Sequence, residues 1–270
     1  MSRALAEHGL GVLRFDFTGL GRSEGEFGRH GLSGDVRDIV CAAGAMGAAG
    51  KVVRLLVGHS LGGAAVLAAA GSLPDVRAVA TIAAPFEPDH VLRQLGESLG
   101  TIEEHGESKV QLAGRPFTIR RSFVEDLRRH SENEYISNLR RSLLVLHSPT
   151  DRVVGIDNAE GIFRSAKHPK SFVSLDKADH LLTQGRDASY AAKVIASWAS
   201  HYLTRKGIET APDPERSISR RSSPAPPNLI RQVLTRCVSR GPVGKRHRHV
   251  PLVACRRWSG AHLPLRRRFA

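Results

Sequence analysis

The 270 residues carry 40 Lys/Arg against 26 Asp/Glu, a formal charge of +14, with 41% hydrophobic and 24% charged residues. That composition is globular and fits one large domain or two modest ones. Residues 211–270 hold 14 of the Lys/Arg and only 2 of the Asp/Glu, so the rest of the chain is nearly neutral and is excluded as a DNA-binding domain.

Cys41 lies in the body, while Cys237 and Cys255 lie in the tail without C-x-x-C spacing. A disulfide framework and a cysteine zinc site are therefore unsupported, and a reducing compartment is expected. Charges interrupt the opening MSRALAEHGLGVLRFDF, unlike a secretory signal. No run approaches the roughly 18 apolar residues that span a bilayer. A cytoplasmic protein with no membrane partner is expected.

Gly11–Phe17 is short and β-rich and reads as a strand, closed by the Gly-punctuated loop Thr18–Gly28. Val36, Ile39, Val40 and Ala43 recur at helical spacing, which predicts an amphipathic helix over Ser33–Ala49. Val52–Val57 is a second strand. Leu61–Ala70 is apolar all round, as a helix buried on every side is. Val79–Ala83 is a third strand, stopped by Pro85.

Residues 86–141 break this rhythm with charged helical stretches around a predicted hairpin, KVQL and PFTIRR, joined at Ala113–Gly114–Arg115. Strand Leu143–Leu146, helix Ile156–Ala166 and strand Ser171–Leu175 then resume it. A last helix places Ala191, Val194, Ile195 and Trp198 on one face. Alternation of this kind predicts an α/β doubly wound, mostly parallel sheet over residues 1–205, with 86–141 inserted as a cap. Ligands in such sheets bind at the carboxyl ends of the strands. From 206 to 270 the chain is rich in Arg and Pro and sustains no period of 2 or 3.6, so a basic, disordered tail is expected.

Gly58-His59-Ser60-Leu61-Gly62 is a G-x-S-x-G between a predicted strand and a predicted helix. The pattern alone is weak; the strand-to-helix context gives it meaning. A serine on that sharp turn needs small residues two positions to either side, and the helix starting at Leu61 aims its first amides where negative charge develops. Ser60 is thus the candidate nucleophile and the Leu61 amide a candidate oxyanion donor. A serine hydroxyl needs a base, and the base an orienting acid. Asp151 and His180 both lie just past carboxyl ends of predicted strands, in the chain order Ser, Asp, His. Asp89 is the substitute acid. His59 beside the nucleophile and His147 at a strand end read as structural, and Asp179 as shaping the loop of His180.

Phe15–Gly25 (FDFTGLGRSEG), GHSLGG, LLVLHSPTD and IDNAEGIFRSAKHPKSFVSLDKADHLL together resemble the α/β-hydrolase superfamily. The resemblance covers about residues 1–205. It is similar to the bacterial hydrolase module often fused to an OsmC-type domain, and to serine aminopeptidases and monoglyceride lipases. It implies a Ser60–Asp151–His180 triad, no cofactor and no metal.

Members of that family carry a further segment ahead of the point where this chain starts, giving the first three strands and one oxyanion amide. Ser2–His8 matches the helix that follows that segment. The resemblance thus implies an incomplete N-terminus and a gap in the sheet between Gly11–Phe17 and Val52–Val57. Those two strands are then expected either to pair directly or to stand apart, and turnover to be poor. Nothing in Ala211–Ala270 resembles the OsmC-type domain; a frame-shifted end is one expectation for so long an Arg/Pro tail.

The reading is a serine hydrolase of a small ester, thioester or amide, acting through an acyl-enzyme. The alternatives are a hydrolase-fold remnant without catalysis, an acyltransferase using the same triad, and nucleic-acid binding through the tail alone. The expected partner is a small-molecule acyl substrate.

Overall fold

The computed structural model describes residues 1–112, 115–203 and the strand 252–256. The predicted turn at Ala113–Gly114 lies outside the described residues. In chain order come α1 (Ser2–Glu7), β1 (Leu10–Arg14), α2 (Gly31–Ala48), β2 (Leu55–His59), α3 (Leu61–Ala69) and β3 (Ala78–Ile82). The insertion follows, with α4 (Ser98–His105), β4 (Glu107–Leu112), β5 (Arg115–Arg120), α5 (Arg121–Arg129) and α6 (Glu134–Ser137). β6 (Ser142–His147), α7 (Ile156–Ser165), β7 (Lys170–Ser174), α8 (Gly185–Leu203) and β8 (Leu252–Arg256) complete the set.

The fold is α/β, with a mostly parallel central sheet between helices. Its strand order is β1-β8-β2-β3-β6-β7, and β2, β3, β6 and β7 run parallel. Successive residues of these strands face opposite sides. Leu56, Val79, Leu143 and Val145 pack into the core that includes α2, α3 and α7. Leu55, Val57, Ala80, Leu144 and Leu146 pack with α1 and α8 on the other face. Both faces of β2, β3 and β6 are covered, so these strands are mostly apolar along their length and do not alternate, whereas the edge strand β7 leaves Phe172 exposed. Each fully buried Leu or Val contributes on the order of 1.5–3 kcal/mol. The all-apolar Leu61–Ala70 prediction has the expected reason: α3 is buried from Gly62 through Leu67, wedged between the sheet and α2.

One expectation is corrected here. β1 neither pairs with β2 nor stands apart. β8 lies between them, antiparallel to both, with Ala254 opposite Val12 on one side and Leu55 on the other. Residues 252–256 are therefore a strand inside the segment expected to be disordered; the remainder of that segment lies outside the described residues. The physical reason is the open slot. Between two covered faces, facing strand edges left unpaired would hold backbone N–H and C=O groups without partners. The run LVACR meets that need but is too short to register as a period in its Arg/Pro-rich setting.

The insertion forms the two-stranded β4–β5 hairpin and short helices. Two of its attachments lie at the entry to α2. Phe27 packs between Phe117 and Phe123, at centroid distances of 5.2 and 5.4 Å. Asp126 of α5 accepts from the Ser33 amide at 2.8 Å and its hydroxyl at 2.6 Å, so the insertion caps one of the unpaired amides of the first turn of α2. Gly31 has φ +54°, and a Cβ there would lie 2.6 Å from an Asp126 oxygen; only glycine allows both the turn and the cap.

Candidate active site

Ser60 stands between β2 and α3 with φ 53° and ψ −131°, outside the regions L-residues favour. The strain is held by neighbours: the Ser60 amide donates to Ile82 O at 2.9 Å, and the Gly63 amide donates to Ser60 O at 2.7 Å. A Cβ on Gly58 would collide with the Gly62 carbonyl, and one on Gly63 would lie 2.5 Å from Ala84 Cβ. At Gly62 it would meet only the Phe17 ring, at an ordinary 3.6 Å. The crowded positions are thus Gly58 and Gly63, and Gly62, which the motif singles out, is the roomier one.

Asp151 follows β6 and His180 follows β7. His180 Nδ1 lies 2.8 Å from Asp151 Oδ2, and His180 Nε2 lies 3.1 Å from Ser60 Oγ. A carboxylate only accepts, so Nδ1 carries the proton and Nε2 presents a lone pair to the Ser60 hydroxyl. Asp151 Oδ1 also accepts from the amides of Val153 at 2.8 Å and Val154 at 3.0 Å. Burial pushes the Asp151 carboxyl up, but the bonds from His180, Val154 and Val153 outweigh it and hold its pKa below the usual value. All three residues are 8% exposed, so their electrostatics act in a poorly hydrated site. The Leu61 amide is the first of α3, at the helix end where partial positive charge gathers.

The loops carrying Asp151 and His180 are tied together. The Leu175 amide donates to His147 O at 2.8 Å, and Ser148 Oγ donates to Asp176 O at 3.0 Å. His147 is fully buried; its Nε2 donates to Val154 O at 2.8 Å and lies 3.9 Å from Asp151 Oδ2. Burial is the main cause lowering its pKa, which favours its neutral form. Asp179 accepts from the amides of Leu181 and Thr183 and from the Thr183 hydroxyl, and those bonds lower its pKa. It shapes the loop of His180. Asp89 lies apart, in the 3₁₀ helix Pro88–Leu95, where with Glu87, His90, Arg93 and Arg128 it lines a cavity of about 290 Å³. None of Ser60, Asp151 and His180 lines that cavity. The contacts of His59 and His147 escaped sequence reading, because they join residues through the fold.

Residues 1–137 match the family described as serine aminopeptidase, S33. The chain belongs to that family. The match includes Ser60 and stops short of Asp151 and His180. The esterase domain of a Rhodothermus marinus protein is 46% identical, with 75% of this chain and 78% of that one covered and a TM-score of 0.60. Est1E from Butyrivibrio proteoclasticus, solved with ferulic acid bound, shares the fold at 19% identity and a TM-score of 0.56, with 70% and 75% covered. An uncharacterised Escherichia coli O157:H7 protein, YfhR, is 24% identical over 180 residues, 66% of this chain and 55% of that protein; the chain thus spans little more than half of that relative's length. Family and esterase neighbours agree on a hydrolase. Among the described residues no helix is long and apolar enough to cross a membrane.

Proposed function

We propose that the chain is a serine hydrolase that cleaves a small ester through an acyl-enzyme on Ser60. One observation carries this reading: a serine on a strained strand-to-helix turn faces the unprotonated nitrogen of His180, whose other nitrogen is held by buried Asp151. Ser60 Oγ attacks the carbonyl carbon while His180 Nε2 takes its proton, and the Leu61 amide donates to the oxygen that gains charge. The tetrahedral species collapses as His180 returns the proton to the leaving alcohol. Water then attacks the acyl carbon as His180 takes its proton, and His180 passes that proton to Ser60 Oγ as the ester bond to Ser60 breaks and the acid leaves. Asp151 keeps the imidazole in the required tautomer and stabilises its charged form. The 46% identical esterase domain favours an ester over a thioester or amide.

A fluorophosphonate probe tests this directly. The expected result is covalent labelling of the intact chain at Ser60, with none in Ser60→Ala and an unchanged circular dichroism spectrum. Labelling that persists at another residue in Ser60→Ala would overturn the assignment.

A further inference from the structure

His180 is held at its ring by Asp151, and its backbone has a second tether. His59, the last residue of β2, lies 2.6 Å through Nε2 from the carbonyl oxygen of His180, 121 positions along the chain. A carbonyl only accepts, so His59 Nε2–H donates. Alternation along β2 places His59 on the same side as Leu55 and Val57, the side that packs with α8. The loop from β7 into α8, which carries His180, passes there. The two imidazole rings lie 4.9 Å apart and are tilted by 51°.

The other bonds of that loop run within it or to the loop after β6, where the Leu175 amide reaches His147 O and Ser148 Oγ reaches Asp176 O. The Ala178 amide donates to Leu175 O and the Leu182 amide to Asp179 O, and Asp179 gathers the amides of Leu181 and Thr183. Those bonds fix the loop's internal shape without fixing its distance from β2. The His59 bond ties the loop directly to β2, the strand that leads straight into Ser60. The base and the nucleophile are thereby referred to the same strand.

We propose that His59 is a positioning residue that keeps His180 Nε2 within reach of Ser60 Oγ. This rests on the serine-hydrolase reading above. His59 takes no proton in the reaction; it acts through the backbone of His180. A shift of about 1 Å at a reacting group can cost roughly 10²-fold in rate, so a bond placed on the base's own carbonyl matters for the chemical step and not for substrate binding.

The test compares His59→Leu with His59→Gln in the full chain. The Gln side-chain amide nitrogen lies the same number of bonds from Cα as His Nε2 and keeps a donor, whereas Leu keeps only bulk. The expected result for His59→Leu is a kcat for a p-nitrophenyl ester and a fluorophosphonate labelling rate each about 10- to 100-fold lower, with KM within about twofold. His59→Gln should recover most of both. The downfield proton signal of His180 Nδ1–H should weaken in the Leu variant and return in the Gln variant, at melting temperatures close to the parent. Labelling and kcat undiminished in His59→Leu, or equally diminished in His59→Gln, would overturn the assignment while leaving the hydrolase reading intact. A parent chain that takes no label at Ser60 would overturn both.

Discussion

The two halves of the sheet are built for different tasks. β2, β3, β6 and β7 are parallel, and the turns or loops after β2, β6 and β7 carry Ser60, Asp151 and His180. β1 carries none of these residues and is paired with the antiparallel β8, which is paired in turn with β2. The first half is held by hydrogen bonds that also position the residues of the proposed triad, as where Ser148 reaches Asp176 O and the Ser60 amide reaches Ile82 O. The second is held by a strand that is far away in the chain. A perturbation in the first half should therefore appear in rate, and one in the second half in stability.

The largest effect expected is at Asp151. Asp151→Asn should lower turnover of a p-nitrophenyl ester by up to about 10⁴-fold, because an amide no longer enforces the Nδ1–H tautomer of His180. Asp89→Asn, placed in a cavity that the triad does not line, should leave turnover unchanged. The reverse pattern would remove the acid from the first half of the sheet and end the comparison.

The second half is tested at Ala254, which sits opposite both Val12 and Leu55. Ala254→Pro removes one ladder hydrogen bond from a strand flanked on both sides, where proline is not tolerated. A loss of about 3 kcal/mol would lower the melting temperature by about 6 °C or more. The rate of Ser60 labelling below the transition should change little. An unchanged melting temperature would mean that β8 contributes nothing to the sheet's stability.

What was legible in the sequence divides along the same line. The strand-turn-helix at Ser60 is written locally, since Gly58 and Gly63 are demanded by contacts within a few residues or just past the next strand. Asp151 and His180 stood out as candidates because each follows a predicted strand, and β6 and β7, paired in parallel, end at the same edge of the sheet. β8 was missed because its pairing depends on a slot created by other strands, not on any period of its own. Val52, assigned to the second strand, is 43% exposed and precedes β2, which begins at Leu55; β-branched residues mark strand propensity but not where pairing begins. The bonds of His59 and His147 were illegible for the reason β8 was: nothing near either residue in sequence predicts which carbonyl it meets.

The smallest effect expected separates two buried aspartates. Asp151, supplied with three donors, has a lowered pKa. Its ionisation therefore stabilises the fold above about pH 3.9, and that support is lost as pH falls through the folded value. Asp35 on α2 is the opposite case. Burial first, then the negative charges of Asp38 and Asp126, raise its pKa well above the ordinary value. Above about pH 3.9 the unfolded chain ionises at this position while the folded chain resists, so rising pH favours unfolding until the folded value is passed. Asp35→Asn removes that linkage while keeping the side chain's size. The substitution should therefore raise the melting temperature at pH 7.5 relative to the parent, and the gain should shrink toward zero near pH 4. Melting curves of the two proteins at those pH values decide it. An equal offset at both would show that Asp35 is held by a contact the amide cannot replace or mimics fully, and not by its charge.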